Sequence, residues 1–180
     1  MSMSSSVLKK PLILAMAAGL ACSAALPADE SPHLGQPLDE AAAAALDFTV
    51  LPNGDGLPAG AGTALEGEAV YRQHCIACHG EGGNGAVNEA LVGGQGTLAT
   101  QQPEKTVGSY WPYATTIFDY VRKAMPLPAP GTLSDDEIYA LTAYILYLND
   151  IIDEREAMTA KTLPGVKMPN RNGFVWAYSP

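Results

Sequence analysis

The stretch Cys75-Ile76-Ala77-Cys78-His79 decides how the rest of this 180-residue chain folds. It is a C-x-x-C-H sequence, a pattern typical of covalent attachment of a c-type haem. Two thiols that are separated by two residues in a helical turn can each add to one vinyl group of a porphyrin. The histidine that follows then lies beneath the iron and supplies an imidazole nitrogen. We therefore predict one haem c, bound covalently through Cys75 and Cys78, with His79 as an axial ligand of the iron.

Two other kinds of site use closely spaced cysteines, a thioredoxin-like dithiol and a structural zinc site. A dithiol of that kind follows a β-strand in a βαβ pattern, whereas the residues before Cys75 have a helical pattern. Zinc would need two more thiolates or imidazoles at matching spacing, and the chain offers only Cys22, His33 and His74. We interpret His33 and His74 as ordinary solvent-facing residues. Haem attachment is therefore the favoured interpretation of the motif.

The N-terminal segment has the composition of an export signal. Residues 1–10 carry two lysines and no acid, and residues 11–26 form a continuous apolar and small-residue run. That run is shorter than the roughly 20 residues of a membrane-spanning helix. We therefore predict a cleaved signal peptide over 1–28, a periplasmic protein and no transmembrane anchor. Lipid anchoring at Cys22 is the less favoured alternative, because Gly19 stands where a lipoprotein signal has leucine.

The charge balance of the chain excludes some classes of partner. Ten Lys and Arg stand against nineteen Asp and Glu, which gives a formal net charge of −9. Loss of Lys9 and Lys10 with the signal leaves eight against nineteen, or −11. Such a protein is steered toward basic protein surfaces and away from anionic polymers and lipids. We expect a protein redox partner and no nucleic acid.

The remaining residues suit one all-α domain between two irregular extensions. Residues 29–63 contain a short alanine-rich stretch and then a segment dense in Gly and Pro, which predicts an irregular N-terminal extension. Residues 64–150 form the predicted haem domain. Residues 151–180 lack the apolar periodicity of a separate domain and form the predicted C-terminal extension.

Three helices are predicted in the haem domain. The strongest covers 135–149, where apolar residues recur at helical spacing after an S-x-x-E capping box. Another covers about 113–124. The helix predicted over 63–75 contains Gly67, and a glycine inside a helix costs ~1 kcal/mol relative to alanine. We therefore expect another backbone to pass close to Gly67, and the helix at 135–149 is the candidate.

Methionines are the candidates for the second axial ligand of the iron. A thioether ligand favours ferrous iron, so His-Met ligation raises the haem potential relative to bis-His ligation. Met125 ends a predicted helix at a proline-rich loop, from which its side chain can be aimed across the porphyrin, and we predict Met125 as the ligand. Met168 is also followed by proline and stays open as the alternative. Met158 stands among charged residues, so we predict that it lies on a solvated face.

The order of these elements resembles that of class I cytochromes c, with Gly67 and Tyr71 before the attachment motif, Met125-Pro126 after it, and a terminal helix. Four longer runs extend the pattern: 57–60 (LPAG), 92–96 (VGGQG), 105–116 (KTVGSYWPYATT) and 168–171 (MPNR). They are similar to the cytochrome subunit of sulfite dehydrogenases and to the SoxD proteins of sulfur oxidation. The resemblance implies a class I cytochrome c fold with irregular extensions.

The resemblance also implies a function. In those families a molybdenum-containing subunit oxidises a sulfur substrate and passes electrons to the cytochrome. Many SoxD proteins carry a second haem domain, whereas this chain has a single C-x-x-C-H. We therefore predict a periplasmic monohaem cytochrome, not itself an enzyme. It accepts single electrons from a molybdenum sulfite dehydrogenase-type subunit and passes them to a downstream cytochrome or oxidase.

Two alternative functions stay open at this point. In the first, the chain is an electron-transfer subunit of another periplasmic dehydrogenase. In the second, it is a haem enzyme or sensor whose iron has an open sixth position. The C-terminal residues Phe174, Val175, Trp176 and Tyr178 suggest an interface, because aromatic anchors are enriched there. We expect this tail to lie on a partner subunit. The alternative is that it folds back over its own haem domain.

Overall fold

The computed structural model describes residues 34–175 and 177–178. The predicted signal peptide over 1–28, with Cys22, and the residues His33 and Trp176 lie outside them. The chain divides into two units, Met1–Glu40 and Ala41–Pro180. In the part of the first unit that is described, residues 34–40 are exposed and irregular up to the start of the first helix. Within the described ranges, no helix has the length and apolar character needed to cross a membrane.

The described residues form an all-α fold, as the sequence predicts. The α-helices are α1 (Glu40–Leu46), α2 (Ala64–His74), α3 (Ile76–His79), α4 (Val107–Tyr110), α5 (Ala114–Ala124) and α6 (Asp135–Leu148). Two short strands, β1 (Ala61–Gly62) and β2 (Met158–Thr159), pair antiparallel. Single 3₁₀ turns cover Glu81–Gly83 and Leu163–Gly165. The helices predicted over 63–75, 113–124 and 135–149 are confirmed to within one residue at each end, whereas α4 was not predicted.

Capping boxes set the starts of α2 and α6, the two helices that cross in the core. Before α6, the Glu137 carboxylate accepts a hydrogen bond from the Ser134 backbone N–H at 2.8 Å, and the Glu137 N–H donates to the Ser134 hydroxyl at 3.3 Å. Thr63 and Glu66 form the same reciprocal pair before α2. Each box satisfies backbone groups that the first helical turn leaves without partners. The box at 134–137 was predicted from sequence, and the one at 63–66 was not.

Helices α2 and α6 cross where α2 has a glycine. A Cβ atom on Gly67 would collide with the backbone carbonyl of Ala140 in α6. The expectation that another backbone passes close to Gly67 is therefore confirmed. One turn further along α2, the ring of Tyr71 packs on Tyr144 of α6, with 5.3 Å between ring centroids. This crossing fixes the direction in which α2 leads into the attachment motif.

The core combines α2, α5 and α6 with side chains from the C-terminal segment. In its centre Phe118 of α5 packs on Tyr139 of α6, with 4.5 Å between ring centroids. Met158 and Leu163 are fully buried in the same cluster, and Met168 is 3% exposed. These three residues follow α6 and belong to the segment predicted as an irregular extension. The segment is irregular, yet its apolar side chains complete the core.

The prediction that Met158 lies on a solvated face is wrong. Met158 stands opposite Gly62 in the pairing of β1 with β2, and a Cβ atom on Gly62 would collide with Ala140 of α6. The pairing therefore holds Met158 against the core, although charged residues precede it along the chain. Local charge did not predict burial, because the partner strand lies almost a hundred residues earlier in the sequence.

The C-terminal extension packs on its own domain before it reaches the aromatic tail. Met158, Leu163 and Met168 belong to the core of that domain. Phe174, Val175 and Tyr178 are exposed in the structure, with Phe174 at 52%. For these last residues the expected interface stays a prediction.

Candidate functional site

A largely apolar cavity of about 570 Å³ opens beside the attachment motif. Protein interiors are normally packed as densely as organic crystals, and ligand sites have volumes of about 300–1,000 Å³. A void of this size therefore has the dimensions of a cofactor site rather than of a packing defect. Its large apolar walls are formed by Leu91, Val107, Trp111, Ile117, Val121, Leu141 and Ile145.

The two cysteines of the motif lie in one helical turn at the edge of this cavity. Cys75 follows the last residue of α2, and the backbone N–H groups of Cys78 and His79 donate to the Cys75 carbonyl at 3.1 and 2.9 Å. Both side chains line the cavity and are partly buried. They are not joined to each other. The turn thus presents two thiols to the same cavity.

The chemistry of Cys75 differs from that of a redox dithiol. Burial, and to a smaller extent the neighbouring Cys78, raises the pKa of the Cys75 thiol to about 11. Thioredoxin-like cysteines instead have lowered pKa values, because the thiolate is their reactive form. Across the described ranges, no group of three or more His, Cys, Asp or Glu side chains is placed to hold a metal ion. Neither alternative to haem attachment finds its required surroundings here.

His79 has one ring nitrogen in contact with the protein. Its Nδ1 lies 3.1 Å from the backbone carbonyl oxygen of Glu89. Donation of a hydrogen bond by Nδ1 leaves Nε2 as the lone-pair nitrogen that can bind a metal. The loop that carries Glu89 is tied to the motif, because the Asn88 N–H donates to the Cys78 carbonyl at 2.9 Å. The motif and this loop therefore orient the imidazole together.

The structure places the two candidate methionines differently. Met125 is the C-cap residue of α5, and its backbone N–H donates to the Val121 carbonyl at 3.0 Å. It is half-buried, and its side chain lines the cavity together with His79. Met168 belongs to the closed core cluster and does not line the cavity. The cavity thus brings together Cys75, Cys78, His79 and Met125.

Some cavity residues were missed by sequence reasoning. His74, interpreted as solvent-facing, is half-buried and lines the cavity. Its position immediately before Cys75 was the available signal. Trp111 and Tyr120 also line the cavity and contact each other edge to face, with 5.6 Å between ring centroids. Their aromatic character was visible in the sequence, but their shared location was not.

Asn149 holds three walls of the cavity together. Its Nδ2 donates to the Ile145 carbonyl at 2.9 Å and to the Leu91 carbonyl at 3.2 Å, and its Oδ1 accepts from Gln95 at 3.2 Å. A Cβ atom on Gly108 in α4 would collide with the Asn149 side chain. This buried amide therefore links α6, the loop after the motif and α4. Nothing in the local sequence at the end of α6 indicated this role.

These residues fit a covalently attached haem. One cavity is lined by two thiols, an imidazole with one nitrogen free and a thioether, which are the attachment and axial groups of a His-Met c-type haem. Its remaining surface is mostly apolar, as the faces of a porphyrin require.

The chain is similar to known proteins over the region that forms this cavity. Residues 62–145 match the family described as cytochrome C oxidase, cbb3-type, subunit III. A chain in the crystal structure of the sulfane dehydrogenase SoxCD from Paracoccus pantotrophus is 38% identical, with a TM-score of 0.74. That similarity covers 81% of this chain and 72% of the SoxCD chain.

A second solved structure is similar over a shorter region. A chain of the thiosulfate dehydrogenase TsdBA from Marichromatium purpuratum is 25% identical, with a TM-score of 0.36. The similarity covers 47% of this chain and 17% of the TsdBA chain. No curated protein matches the chain.

Proposed function

This chain belongs to the cytochrome c family and is related to a chain of the sulfane dehydrogenase SoxCD, and on that premise we propose that it is a periplasmic monohaem electron carrier. It accepts single electrons from a molybdenum sulfite dehydrogenase-type subunit and passes them to a downstream cytochrome or oxidase. The observation that carries this proposal is the apolar cavity that is lined by Cys75, Cys78, His79 and Met125.

Each of these residues has a defined part in holding the cofactor. Cys75 and Cys78 would hold a haem through thioether bonds. His79 binds through Nε2, while its Nδ1 donates to the Glu89 carbonyl and so increases the basicity of the ring. Met125 provides the weaker, sulfur ligand. When bound, the haem supplies an iron that changes between the ferric and ferrous states.

The surrounding protein sets the potential. Apolar side chains, among them Leu141 and Ile145 of α6, exclude water from the cavity and disfavour the more highly charged ferric state. The thioether of Met125 acts in the same direction. A relatively high potential suits a carrier that receives electrons from a dehydrogenase. In this proposal the protein supplies attachment, orientation and environment, and the cofactor supplies the redox chemistry.

The proposed donor rests on the relationship to SoxCD. The relative is a chain of a sulfane dehydrogenase, and the similarity at 38% identity covers 81% of this chain, well beyond the haem motif. The single C-x-x-C-H motif supports a one-haem carrier. The basic and apolar segments at 1–28 support export, which haem attachment requires. We propose a signal at 1–28, a haem domain at 64–150 and irregular extensions at 29–63 and 151–180, the second of which supplies Met158, Leu163 and Met168 to the core.

Haem attachment is tested by cysteine variants of the exported protein. Cys75→Ala and Cys78→Ala each lose one thioether bond, so we expect a much lower yield of covalent haem in either variant. The measurement is haem staining after denaturing electrophoresis. Cys22→Ala is the matched control and should retain the wild-type yield. A wild-type yield from Cys75→Ala or Cys78→Ala would contradict thioether attachment.

Electron transfer is tested by rapid mixing of the ferric holoprotein with a molybdenum sulfite dehydrogenase subunit and sulfite. We expect reduction of the haem on mixing, and none without sulfite. If the haem is reduced only by a dehydrogenase that acts on a substrate without sulfur, the chain is instead an electron-transfer subunit of another periplasmic dehydrogenase. Rapid binding of carbon monoxide by the ferrous protein, without displacement of a sulfur ligand, would favour a sensor or enzyme with an open sixth position.

A further inference from the structure

Charge is distributed unevenly along the second half of the chain. Residues 135–156 contain seven Asp and Glu and one basic residue. From residue 157 to the end there is no Asp or Glu, whereas Lys161, Lys167 and Arg171 are basic. The C-terminal segment is therefore a locally basic part of a strongly acidic protein. A surface that contains this segment attracts acidic partners, whereas the rest of the molecule attracts basic ones.

The basic segment packs onto residues 105–113 and forms one surface with them. Met168 is buried in the core and anchors the segment. Two residues further on, the Asn170 side-chain amide donates to the Tyr110 backbone carbonyl at 2.7 Å. The ring of Phe174 then lies edge-on to the ring of Tyr110, with 5.2 Å between centroids. These contacts fix residues 168–174 against the haem domain.

Cations lie on the aromatic rings of this surface. The Lys105 ammonium is 5.2 Å from the centre of the Tyr110 ring, and the Arg171 guanidinium is 4.2 Å from the centre of the Tyr113 ring. Both distances are within the range of cation–π contacts, about 6 Å. We call this surface the basic–aromatic face and define it by Lys105, Tyr110, Tyr113, Arg171 and Phe174. We include the exposed Lys167, which directly precedes the anchoring Met168 in sequence.

Among the described residues, no salt bridge joins a cation of this face to a carboxylate. In the part of the chain that the structure describes, salt bridges join Arg72 to Glu68, Arg122 to Asp135 and Lys123 to Asp119. None involves a cation of the basic–aromatic face. The two segments that form the face, 105–113 and 157–178, contain no Asp or Glu, and Glu104 immediately precedes the first of them. Stacking on tyrosine restricts the Lys105 and Arg171 side chains and leaves their N–H groups available for carboxylates.

The basic–aromatic face adjoins the cofactor cavity. Lys105 belongs both to this face and to the cavity lining, and Trp111 of the same segment also lines the cavity. A protein bound here would therefore lie beside the wall of the haem site. The exposed ring of Phe174 and the exposed side chains of Val175 and Tyr178 extend the face with apolar surface. Exposed aromatic groups combined with arginine are typical of residues that dominate binding energy at interfaces.

We propose that the basic–aromatic face binds an acidic surface of the dehydrogenase subunit that donates electrons. This inference rests on the proposed function, since it names the binding surface for that donor. The acidic remainder of the molecule stays available for a basic acceptor. The two surfaces of this protein carry opposite charges, so the acidic donor and the basic acceptor are each attracted to a different one. The donor can therefore remain bound while the acceptor changes.

Photo-crosslinking tests the location and the chemistry of the contact. A benzoylphenylalanine replaces Phe174 in the full-length holoprotein, which is then irradiated with the molybdenum-containing dehydrogenase subunit. We expect a cross-link to a segment of that subunit rich in Asp and Glu. The matched control is the same replacement at Leu65, which is 44% exposed, close to the 52% of Phe174, and lies on α2. A cross-link to a basic segment, to a second copy of this chain, or from Leu65 alone would overturn the proposal.

Charge reversal provides the second test. Lys167→Glu and Arg171→Glu should each weaken binding to the dehydrogenase subunit about tenfold and reduce its dependence on salt. Arg72→Glu is the control, since Arg72 is also exposed but pairs with Glu68 on α2. The haem spectrum and melting temperature of each variant report whether the fold is intact. Arg171→Glu also removes the contact of Arg171 with the Tyr113 ring and could disturb the tail. Lys167→Glu changes the charge without removing that contact.

The outcomes separate this inference from the proposed function. If the wild-type haem is reduced by the dehydrogenase but Lys167→Glu binds as tightly as wild type, the basic–aromatic face is wrong and the proposed function stands. If the dehydrogenase does not reduce the wild-type haem, the proposed function fails first. In that case the cross-linking experiment still tests the binding surface, because the absence of a cross-link from position 174 would contradict binding at the basic–aromatic face.

Discussion

Two Met-Pro pairs, Met125-Pro126 and Met168-Pro169, have similar local sequences but different surroundings. Met125 is half-buried at the end of α5 and lines the cavity, whereas Met168 is 3% exposed within the core. Each is a thioether followed by a proline, so local chemistry does not distinguish them as ligands. The difference teaches that the choice of an axial ligand depends on which side chain the fold leaves at the cavity wall. It also predicts that the two residues respond oppositely to substitution.

The largest effect is expected from truncation of the tail that contains Met168. Deletion of 165–180 removes Met168 and the anchoring bond of Asn170, so we expect a large loss in the free energy of unfolding. Deletion of 175–180 leaves Met168 and Asn170 in place and removes the exposed Val175 and Tyr178, so it should change that free energy by less than about 0.5 kcal/mol. Chemical denaturation of both proteins measures the difference. Equal stability of the two truncated proteins would show that the tail does not belong to the core.

Substitution of Met168 alone comes next. Met168→Ala leaves a cavity in a closed core and should lower the free energy of unfolding by about 2–5 kcal/mol. The weak near-infrared charge-transfer band of a methionine-ligated ferric haem should remain. Met168→Leu is the control, since it retains the volume and should cost less than about 1.5 kcal/mol. Loss of the band with wild-type stability would transfer the ligand role to Met168.

Met125→Ala should produce the opposite pattern. We expect loss of the near-infrared band and a lower haem potential, because the thioether that favours ferrous iron is removed. The decrease in unfolding free energy should be smaller than for Met168→Ala, because Met125 is only half-buried at a helix end. Absorption spectroscopy and potentiometry on the purified holoprotein check both expectations. A retained band in Met125→Ala would remove Met125 from the ligand set.

The smallest effect is expected from acidification, which should lower the free energy of unfolding slightly and by the same amount in both methionine variants. Hydrogen bonds from Thr63 and from Ser134 lower the pKa of Glu66 and Glu137 below the ordinary value of 4.5. Because these pKa values are lower in the folded state, the stabilisation is present above pH 4.5 and is lost as the pH falls further. Glu66 is exposed and Glu137 is partly exposed, so screening by solvent keeps the change small.

Melting curves across this pH range test the capping boxes. Neither methionine takes part in them, so wild type, Met125→Ala and Met168→Ala should lose stability in parallel. Glu137→Gln should show a weaker dependence on pH than wild type, because one of the two titrating groups is gone. A difference between the methionine variants in this range would indicate that acid acts on the core or the cavity instead.

The sequence by itself determined the attachment motif, the all-α class and the bounds of the main helices. These features depend on short-range geometry. The spacing of Cys75 and Cys78 is set by one helical turn, and the box formed by Ser134 and Glu137 involves atoms three residues apart. Gly67 was informative for the same reason, because a missing side chain in a helix has a local energetic cost that only a close neighbour explains.

Only the tertiary structure decided which distant residues meet. The burial of Met158 depends on pairing with Gly62, and the role of Asn149 depends on Leu91 and Gln95. The packing of Met168 in the core follows from the return of the C-terminal segment to the domain. Each of these contacts joins residues separated by more than fifty positions. Local sequence does not predict such contacts. Their stabilising energy comes from burial of apolar surface between two segments, and neither segment's own pattern identifies the other.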